Sequence, residues 1–381
     1  MRKGQLVLVS VLIAVWLACG GSSGTGPSSS APSSDILYIV TNGNVVTYSI
    51  DGSSLTATPL EQPVSLVSAP GSVIQFDPSP DDAFVYAIWV DGESRQHLSV
   101  YPVDSYGVPQ NPPVQVLNAS SLSQFNMHPS GRFAYMLEVT TSGAEYFADI
   151  RLFHAQTNTG TLQEDARVQG TYGPSYVWPA FLYGFSTDGK KLYDTSLVSN
   201  GSVYRERWID LKTGALGGDS QLLSVVNRED VAIGKVIVTQ FQNETNASLS
   251  YINVLQDTPK VHHPMIHCTS AMMSFCATAT NVRLDVTGNY LFLTDPSTSA
   301  VHVGRIALSE KRIIDTGSSL PMTSQTPGFA FSPDGGIVYA VLAKDLSVHF
   351  YHFDRSSGSL AESGSPIPLT ASAGICPAQR R

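Results

Sequence analysis

Two acids and one arginine in this chain have the residue types and spacing of a hydrolytic or sugar-binding site. Asp77, Glu229 and Arg283 each lie five residues before the turn residue of a repeated motif, in what we predict to be a short strand. Hydrolysis at a carbonyl carbon needs a base that activates water and a positive group that stabilises the carbonyl oxyanion. Asp77 or Glu229 would serve as that base, and Arg283 would be the electrostatic partner.

Amide side chains recur at matching positions of the same predicted strands. They are Gln75, Gln124, Asn126, Asn227 and Asn281. Alternate positions carry apolar residues such as Phe76, Phe125 and Phe329, and successive side chains of a strand point to opposite faces. We therefore expect the apolar set to pack and the polar set to line a shared channel. There the polar set either binds a polyol or sugar acid or only contacts water. Around Asn227 the alternation breaks, because Arg228 falls in the apolar register.

These strands belong to a motif of strand, tight turn and second strand that recurs along the whole chain. Its clearest copies are Pro129–Tyr135, Thr187–Tyr193, Val286–Phe292 and Pro333–Tyr339. The apolar anchors of the second strands are Tyr38, Tyr86, Tyr135, Tyr193, Val238, Phe292 and Tyr339, at spacings of 45 to 58 residues. Such a period with β patterning is typical of propellers. The seven anchors predict an all-β, seven-bladed β-propeller of four-stranded antiparallel blades over residues 35–381.

A second element, an apolar strand and a turn followed by Gly and Leu, comes after several anchors. Its copies are Tyr48–Leu55, Phe153–Leu162, Ile209–Leu216 and Phe353–Leu360. The strand at Tyr38 is the second strand of a blade whose innermost strand is missing upstream. We expect the C-terminal segment Leu369–Cys376 to supply that strand and close the ring, which removes exposed sheet edges.

The turns and the Gly/Leu strand pairs resemble those of the lactonase-type seven-bladed propellers, the relatives of the propeller form of 6-phosphogluconolactonase. The resemblance covers roughly residues 35–370 and implies the fold, with lactone hydrolysis as a possible activity. In that family the inner strand of the penultimate blades usually carries a His, whereas the matching stretch Thr278–Val282 has none. This departure favours a binding role. We predict no metal and no other cofactor.

The first 34 residues form a different kind of segment. Arg2 and Lys3 precede the apolar run Leu6–Ala18, which is too short to span a bilayer comfortably. Residues 1–18 therefore resemble a bacterial lipoprotein signal, after which Cys19 becomes the lipidated first residue. The stretch 19–34 is rich in Gly, Ser and Pro and indicates a flexible tether. The alternative is an ordinary secretory signal cleaved nearby.

The charge composition is consistent with export and limits the partners. Charged residues make up 14% of the chain and its formal net charge is −9. This acidic balance argues against nucleic acid and against membrane contact other than the lipid anchor. We expect a monomer on the periplasmic or outer-membrane side of the cell envelope, where its partner is a small polar ligand or an envelope protein.

Two long connections carry further candidate residues. The first holds His262, His263, His267, Cys268 and Cys276, which could bind a transition metal, form a Cys268–Cys276 disulfide or remain free thiols. We favour the disulfide, because the predicted compartment is oxidising. The second connection carries the aromatic residues Tyr172, Tyr176 and Trp178. These aromatics would either dock carbohydrate or protein or plug the channel.

Two functions remain open. The first is a lipid-anchored binding scaffold outside the cytoplasm, and the second is a hydrolase of a sugar lactone. The predicted compartment favours the scaffold, because 6-phosphogluconolactone is a cytoplasmic metabolite.

Overall fold

Apolar strands separated by tight turns build antiparallel sheets along the whole described chain. The computed structural model describes residues 35–379 apart from 42, 68–70, 120–123, 143–144, 175–180, 186–188, 199–200, 226–229, 234–235, 243–249, 257–264, 269–280, 286, 296–297, 308–309, 311, 322–327, 343–344 and 371–373. The all-β prediction is confirmed. Among the described residues, no helix has the length and apolar character needed to cross a membrane.

The strands group into antiparallel units of four strands, with β4 as a short fifth strand in unit 1, and we number the units in chain order. Unit 1 contains β1 (Asp35–Thr41), β2 (Asn44–Asp51), β3 (Thr56–Pro59), the short β4 (Val64–Ser65) and the C-terminal β29 (Gly374–Gln379). Unit 2 contains β5 (Ser72–Pro78), β6 (Phe84–Val90), β7 (Gln96–Pro102) and β8 (Gln115–Ala119). Unit 3 contains β9 (Gln124–Met127), β10 (Phe133–Ser142), β11 (Glu145–Ala155) and β12 (Leu162–Pro174). Unit 4 contains β13 (Phe181–Phe185), β14 (Lys191–Val198), β15 (Gly201–Ile209) and β16 (Leu216–Val225).

The remaining units follow the same order. Unit 5 contains β17 (Asp230–Ile233), β18 (Val236–Gln242), β19 (Ser250–Gln256) and β20 (Met265–Cys268). Unit 6 contains β21 (Asn281–Leu284), β22 (Tyr290–Asp295), β23 (Ala300–Ala307) and β24 (Arg312–Pro321). Unit 7 contains β25 (Gly328–Phe331), β26 (Ile337–Leu342), β27 (Ser347–Asp354) and β28 (Ser359–Pro368).

Two pairings depart from a simple succession of hairpins. The C-terminal strand β29 pairs antiparallel with β1, with Asp35 opposite Gln379 and Tyr38 opposite Cys376. Units 5 and 6 share one sheet, because β20 pairs in parallel with β24 at His267 and Cys268.

In units 2, 3, 4, 6 and 7 the turn between the first two strands contains a residue in the left-handed conformation. Gly131 has φ of +69° in the turn between β9 and β10, and Asp82 takes the same role in unit 2 with φ of +51°. The prediction that Asp82 replaces Gly is therefore confirmed. A non-glycine residue with positive φ is uncommon, and Asp is among the residues that tolerate it.

The turn between the third and fourth strands explains the repeated Gly. The amide of Gly160 donates to the carbonyl of Gln156 at 2.7 Å, and the amide of Gly214 donates to Asp210 at 2.6 Å. In unit 1 the equivalent residue is Leu55 and not Gly52, because the Leu55 amide donates to Asp51 and its φ is +50°. The matching of Leu55 with the later leucines was therefore wrong by two residues, because Leu55 takes the position of the repeated Gly.

The core lies between units. Among the described residues, clusters of buried apolar side chains join units 1 and 2, 2 and 3, 3 and 4, 6 and 7, and 7 and 1. Phe76, Phe125 and Phe329 are almost fully buried in these clusters, so the predicted packing register is confirmed for them. Neighbouring units thus pack face to face, which is how repeats bury apolar surface that none could bury alone.

Candidate functional site

Gln75 lies on β5 at one of the predicted channel positions, and its side chain contacts the neighbouring unit. The backbone amide of Phe125 donates to Gln75 Oε1 at 2.9 Å, and Gln75 Nε2 donates to the carbonyl of Phe125. One amide side chain therefore satisfies both backbone groups of a residue on β9. A bulge between Val73 and Gln75 breaks the regular register of β5 next to this contact.

Asp77 follows on the same strand and is buried, with 3% of its surface exposed. Its Oδ2 accepts a hydrogen bond from Gln75 Nε2 at 2.5 Å. A hydrogen bond of this kind orients the carboxylate toward the junction of units 2 and 3. A general base must reach the proton that it removes, directly or through one water. Burial of Asp77 restricts that reach.

The other predicted channel residues are described to different extents. Gln124 and Asn126 lie on β9 and are half-buried, opposite Leu137 and Tyr135 of β10. For Asn281 and Arg283 the structure gives only the backbone of β21. Asn227 and Glu229 lie outside the described residues. The structure thus brings Gln75 and Asp77 together, and the roles of the remaining polar residues stay predictions.

The candidates in the long connections are mostly outside the described residues as well. Tyr172 lies on β12 and Cys268 on β20, where only the backbone is described. The following residues lie outside the described part: Cys19, Tyr176, Trp178, His262, His263 and Cys276. The disulfide and the lipidated cysteine therefore stay predictions. Among the described residues, no group of three or more His, Cys, Asp or Glu side chains is placed to hold a metal ion.

His128 is a buried polar residue at the turn that follows β9. It is 2% exposed, and its Nε2 lies 2.8 Å from the carbonyl of Gly189 in unit 4. The amide of Ser130 lies 3.1 Å from Nδ1 and can only donate, so Nδ1 accepts and Nε2 carries the proton. Burial lowers the pKa of His128, which keeps the ring neutral. His128 therefore has a structural role, because its hydrogen bonds join the turn of unit 3 to the turn of unit 4.

A serine, a histidine and two carboxylates meet at the start of β27. Ser347 Oγ lies 2.7 Å from His349 Nε2, and His349 Nδ1 lies 2.6 Å from Glu362 Oε1. The order of these groups is that of a nucleophilic triad. However, Ser347 is 5% exposed and its hydroxyl contacts Asp345 Oδ1, to which it must donate. His349 Nε2 then donates instead of accepting, so the imidazole is not the base that a nucleophilic serine requires.

Comparison with known proteins supports the fold. The sequence matches no protein-family model and no curated protein. A periplasmic gluconolactonase from Pseudomonas aeruginosa matches the structure with a TM-score of 0.63 at 12% identity, over 90% of this chain and 99% of that one. A proposed 6-phosphogluconolactonase from Bacteroides uniformis matches with a TM-score of 0.60 at 15% identity, over 90% and 99% of the two chains.

A protein with a different description matches over a similar extent. It is a hypothetical selenium-binding protein from Sulfolobus tokodaii, with a TM-score of 0.54 at 11% identity, over 92% of this chain and 94% of that one. At such identities the likeness concerns the fold. The lactonase-like propeller architecture is therefore supported, and it is shared by proteins of unlike description.

Proposed function

We propose that this chain is a lipid-anchored, seven-bladed β-propeller of the bacterial cell envelope that binds a small polar ligand or an envelope protein. In this proposal the seven units are blades, and β29 closes the ring beside β1. The pairing of Asp35 with Gln379 and the buried cluster between units 7 and 1 support this closure. Cys19 carries the lipid, residues 20–34 form the tether, and Cys268 is joined to Cys276 by a disulfide.

The contacts of Gln75 and Asp77 are the observation that favours a binding role over catalysis. Gln75 holds the backbone of Phe125, and Asp77 is buried beside it. Gln75 thus joins two units, and Asp77 accepts a hydrogen bond from the side chain that does so. A hydrolytic role would need Asp77 to meet water and substrate at the same time.

A lactone-opening assay of the full chain tests this proposal. The proton released by hydrolysis of simple sugar lactones is followed with the natural protein and with three variants, Asp77→Ala, Glu229→Ala and Arg283→Ala. For a binding protein, the slow background rate is the same in all of them. Glu61→Ala, which changes an exposed acid, is the matched control.

The second candidate function is lactone hydrolysis, and the structural neighbours favour it. The P. aeruginosa protein is a gluconolactonase, and it is periplasmic. If this chain shares that reaction, the natural protein exceeds the buffer rate. At least one of the three substitutions then lowers the rate by roughly 10², the scale of losing a general base or an oxyanion donor. That result would overturn the binding proposal.

Anchoring and crosslinking have independent tests. Mass spectrometry of the mature N-terminus identifies Cys19 with attached acyl chains if the lipoprotein proposal is right. Non-reducing peptide mapping recovers Cys268 and Cys276 in one crosslinked pair if the compartment is oxidising. An unmodified N-terminus at another residue would contradict the first proposal, and two free thiols would contradict the second.

A further inference from the structure

An exposed tryptophan and an exposed leucine stand among cations at the turn end of units 3 and 4. Trp208 is 45% exposed and Leu211 is 40% exposed, although both are large apolar residues. Lys191 Nζ lies 4.9 Å from the centre of the Trp208 ring. We call the set Arg132, Lys190, Lys191, Trp208, Leu211 and Lys212 the basic–aromatic patch.

Short contacts make this patch one continuous surface. The amide of Ile209 donates to the carbonyl of Lys190 at 2.8 Å, which joins the two turns of unit 4. Arg132 Nη2 of unit 3 donates to the carbonyl of Lys212 at 3.4 Å. Arg132, Lys190 and Lys212 have exposed side chains. Three residues with exposed cationic side chains are therefore joined to turns that carry two exposed apolar side chains, in a protein whose formal net charge is −9.

The charge at this end of the molecule is unevenly distributed. Within the patch the turn of unit 4 begins with the exposed acid Asp210, which Arg132, Lys190 and Lys212 outnumber, whereas the equivalent turns of units 1, 2 and 7 begin with Asp51, Asp104 and Asp354. Hydrogen bonds from Ser53 and Ser54 hold the pKa of Asp51 at about 2, so this carboxylate is ionised near neutral pH. An anionic surface is repelled by those turns and attracted by the basic–aromatic patch, which selects one orientation.

The first described residue lies at the same end of the molecule as the patch. Asp35 pairs with Ile50, directly before the turn that begins at Asp51. Hydrogen bonds from Tyr38 to Gly107, Tyr86 to Gly160 and Tyr135 to Gly214 align this turn end through units 1 to 4. The predicted tether of residues 20–34 would span roughly 20 Å as a flexible chain. An anchor at Cys19 would therefore bring this end close to the bilayer.

We propose that the basic–aromatic patch docks the domain on the anionic lipid surface to which Cys19 is anchored. Trp favours the boundary between headgroups and acyl chains, and each basic side chain adds attraction to anionic lipid. The anchor itself belongs to the proposed function, on which this inference rests. The sequence predicted membrane contact through the lipid alone, and this proposal adds a second contact through the basic–aromatic patch.

Amine labelling of the membrane-bound full chain tests the docking. The chain is isolated in detergent, reconstituted on vesicles of phosphatidylcholine with or without phosphatidylglycerol, and acetylated with a water-soluble reagent. We expect modification of Lys190 and Lys212 to fall by about tenfold on the anionic vesicles only, and to recover at high salt. Equal labelling on both kinds of vesicle would overturn the proposal.

Matched variants separate the patch from general effects. The double variant Trp208→Ser and Leu211→Ser should remove the protection of both lysines, and Lys212→Glu should separately remove that of Lys190. Leu346→Ser is the control, because Leu346 is 42% exposed but precedes β27 at the opposite end of its unit. Protection that survives both patch variants, or that appears only when an acidic protein is added, would contradict membrane docking.

The anchoring proposal and the docking proposal can be contradicted separately. If the N-terminal mass shows no lipid on Cys19, the anchoring proposal is wrong. The same unlipidated chain is then floated with phosphatidylglycerol vesicles. Salt-sensitive flotation that is lost in Lys212→Glu would still support the patch, and no flotation would overturn it.

Discussion

The hydroxyl of Tyr135 in unit 3 donates a hydrogen bond to the backbone carbonyl of Gly214 in unit 4, at 2.6 Å. Burial raises the pKa of Tyr135, so the phenol remains a donor at any ordinary pH. Phe133, two residues earlier on the same strand, occupies the space where Gly214 would carry a side chain. The anchor strand and the Gly of the next unit are thus two halves of one inter-unit contact.

Replacement of Gly214 by Ala should destabilise the protein strongly. An added Cβ would lie 2.6 Å from Phe133 Cδ1, and φ at this position is +74°. The left-handed conformation costs about 1–2 kcal/mol for an L-residue, and overpacking adds about 1–3 kcal/mol. We expect denaturant unfolding to show a loss of about 2–5 kcal/mol in the free energy of unfolding.

Gly217→Ala is the matched control for that substitution. Nothing lies within 4 Å of a Cβ built on Gly217, three residues farther along the chain. Its free energy of unfolding should therefore remain close to that of the natural protein. Similar losses of unfolding free energy in the two variants would mean that close packing against Phe133 is not the reason for a Gly at position 214.

The repeat made the strands predictable because its constraints are local. A left-handed turn residue such as Gly131 or Asp82 and an apolar anchor five or fewer residues later are adjacent in sequence. The turn residue and the anchor can therefore be recognised together in one sequence. The predicted anchors all lie in the second strand of a unit, from Tyr38 on β1 to Tyr339 on β26.

The candidate site was less predictable because its contacts are not local. Gln75 was expected to face a channel, but its partner Phe125 lies 50 residues away in another unit. The alternation of polar and apolar residues along β5 gives no indication of the bulge before Gln75. Likewise, nothing near Leu55 indicates that its backbone, and not that of Gly52, is left-handed.

Replacement of Gln75 by Ala should weaken the contact between units 2 and 3. The change leaves the amide and the carbonyl of Phe125 without their side-chain partner. A buried polar group that loses its partner costs about 1–3 kcal/mol. We expect a fall of that size in the free energy of unfolding, measured with urea, and little change for Gln62→Ala, whose side chain is exposed. Equal values for the two variants would contradict the role assigned to Gln75.

Replacement of Asp35 by Asn should stabilise the protein at neutral pH. Burial, and secondarily the charge of Asp334, raises the pKa of Asp35 to about 6. Since the folded state holds this proton more tightly than the unfolded state, stability falls as pH rises from about 4 to 6. Asn keeps the shape without ionising. We expect a gain of about 1–2 kcal/mol at pH 7, after allowance for partial exposure, and none at pH 4. An equal gain in stability at pH 4 and at pH 7 would show that ionisation of Asp35 is not its cause.

Acid should destabilise the protein through His128. Burial lowers the pKa of this imidazole below its ordinary value, so the unfolded chain binds the proton more tightly than the folded chain does. The stability contributed by neutral His128 is complete above about pH 6.5 and is lost as pH falls toward the folded-state pKa. His128→Gln retains a donor for the Gly189 carbonyl but does not titrate. We therefore expect the variant to lose less stability than the natural protein between neutral and mildly acidic pH, in parallel urea titrations. Identical slopes for the two proteins would show that protonation of His128 does not limit the fold, and that the link between its turn and Gly189 tolerates the charged ring.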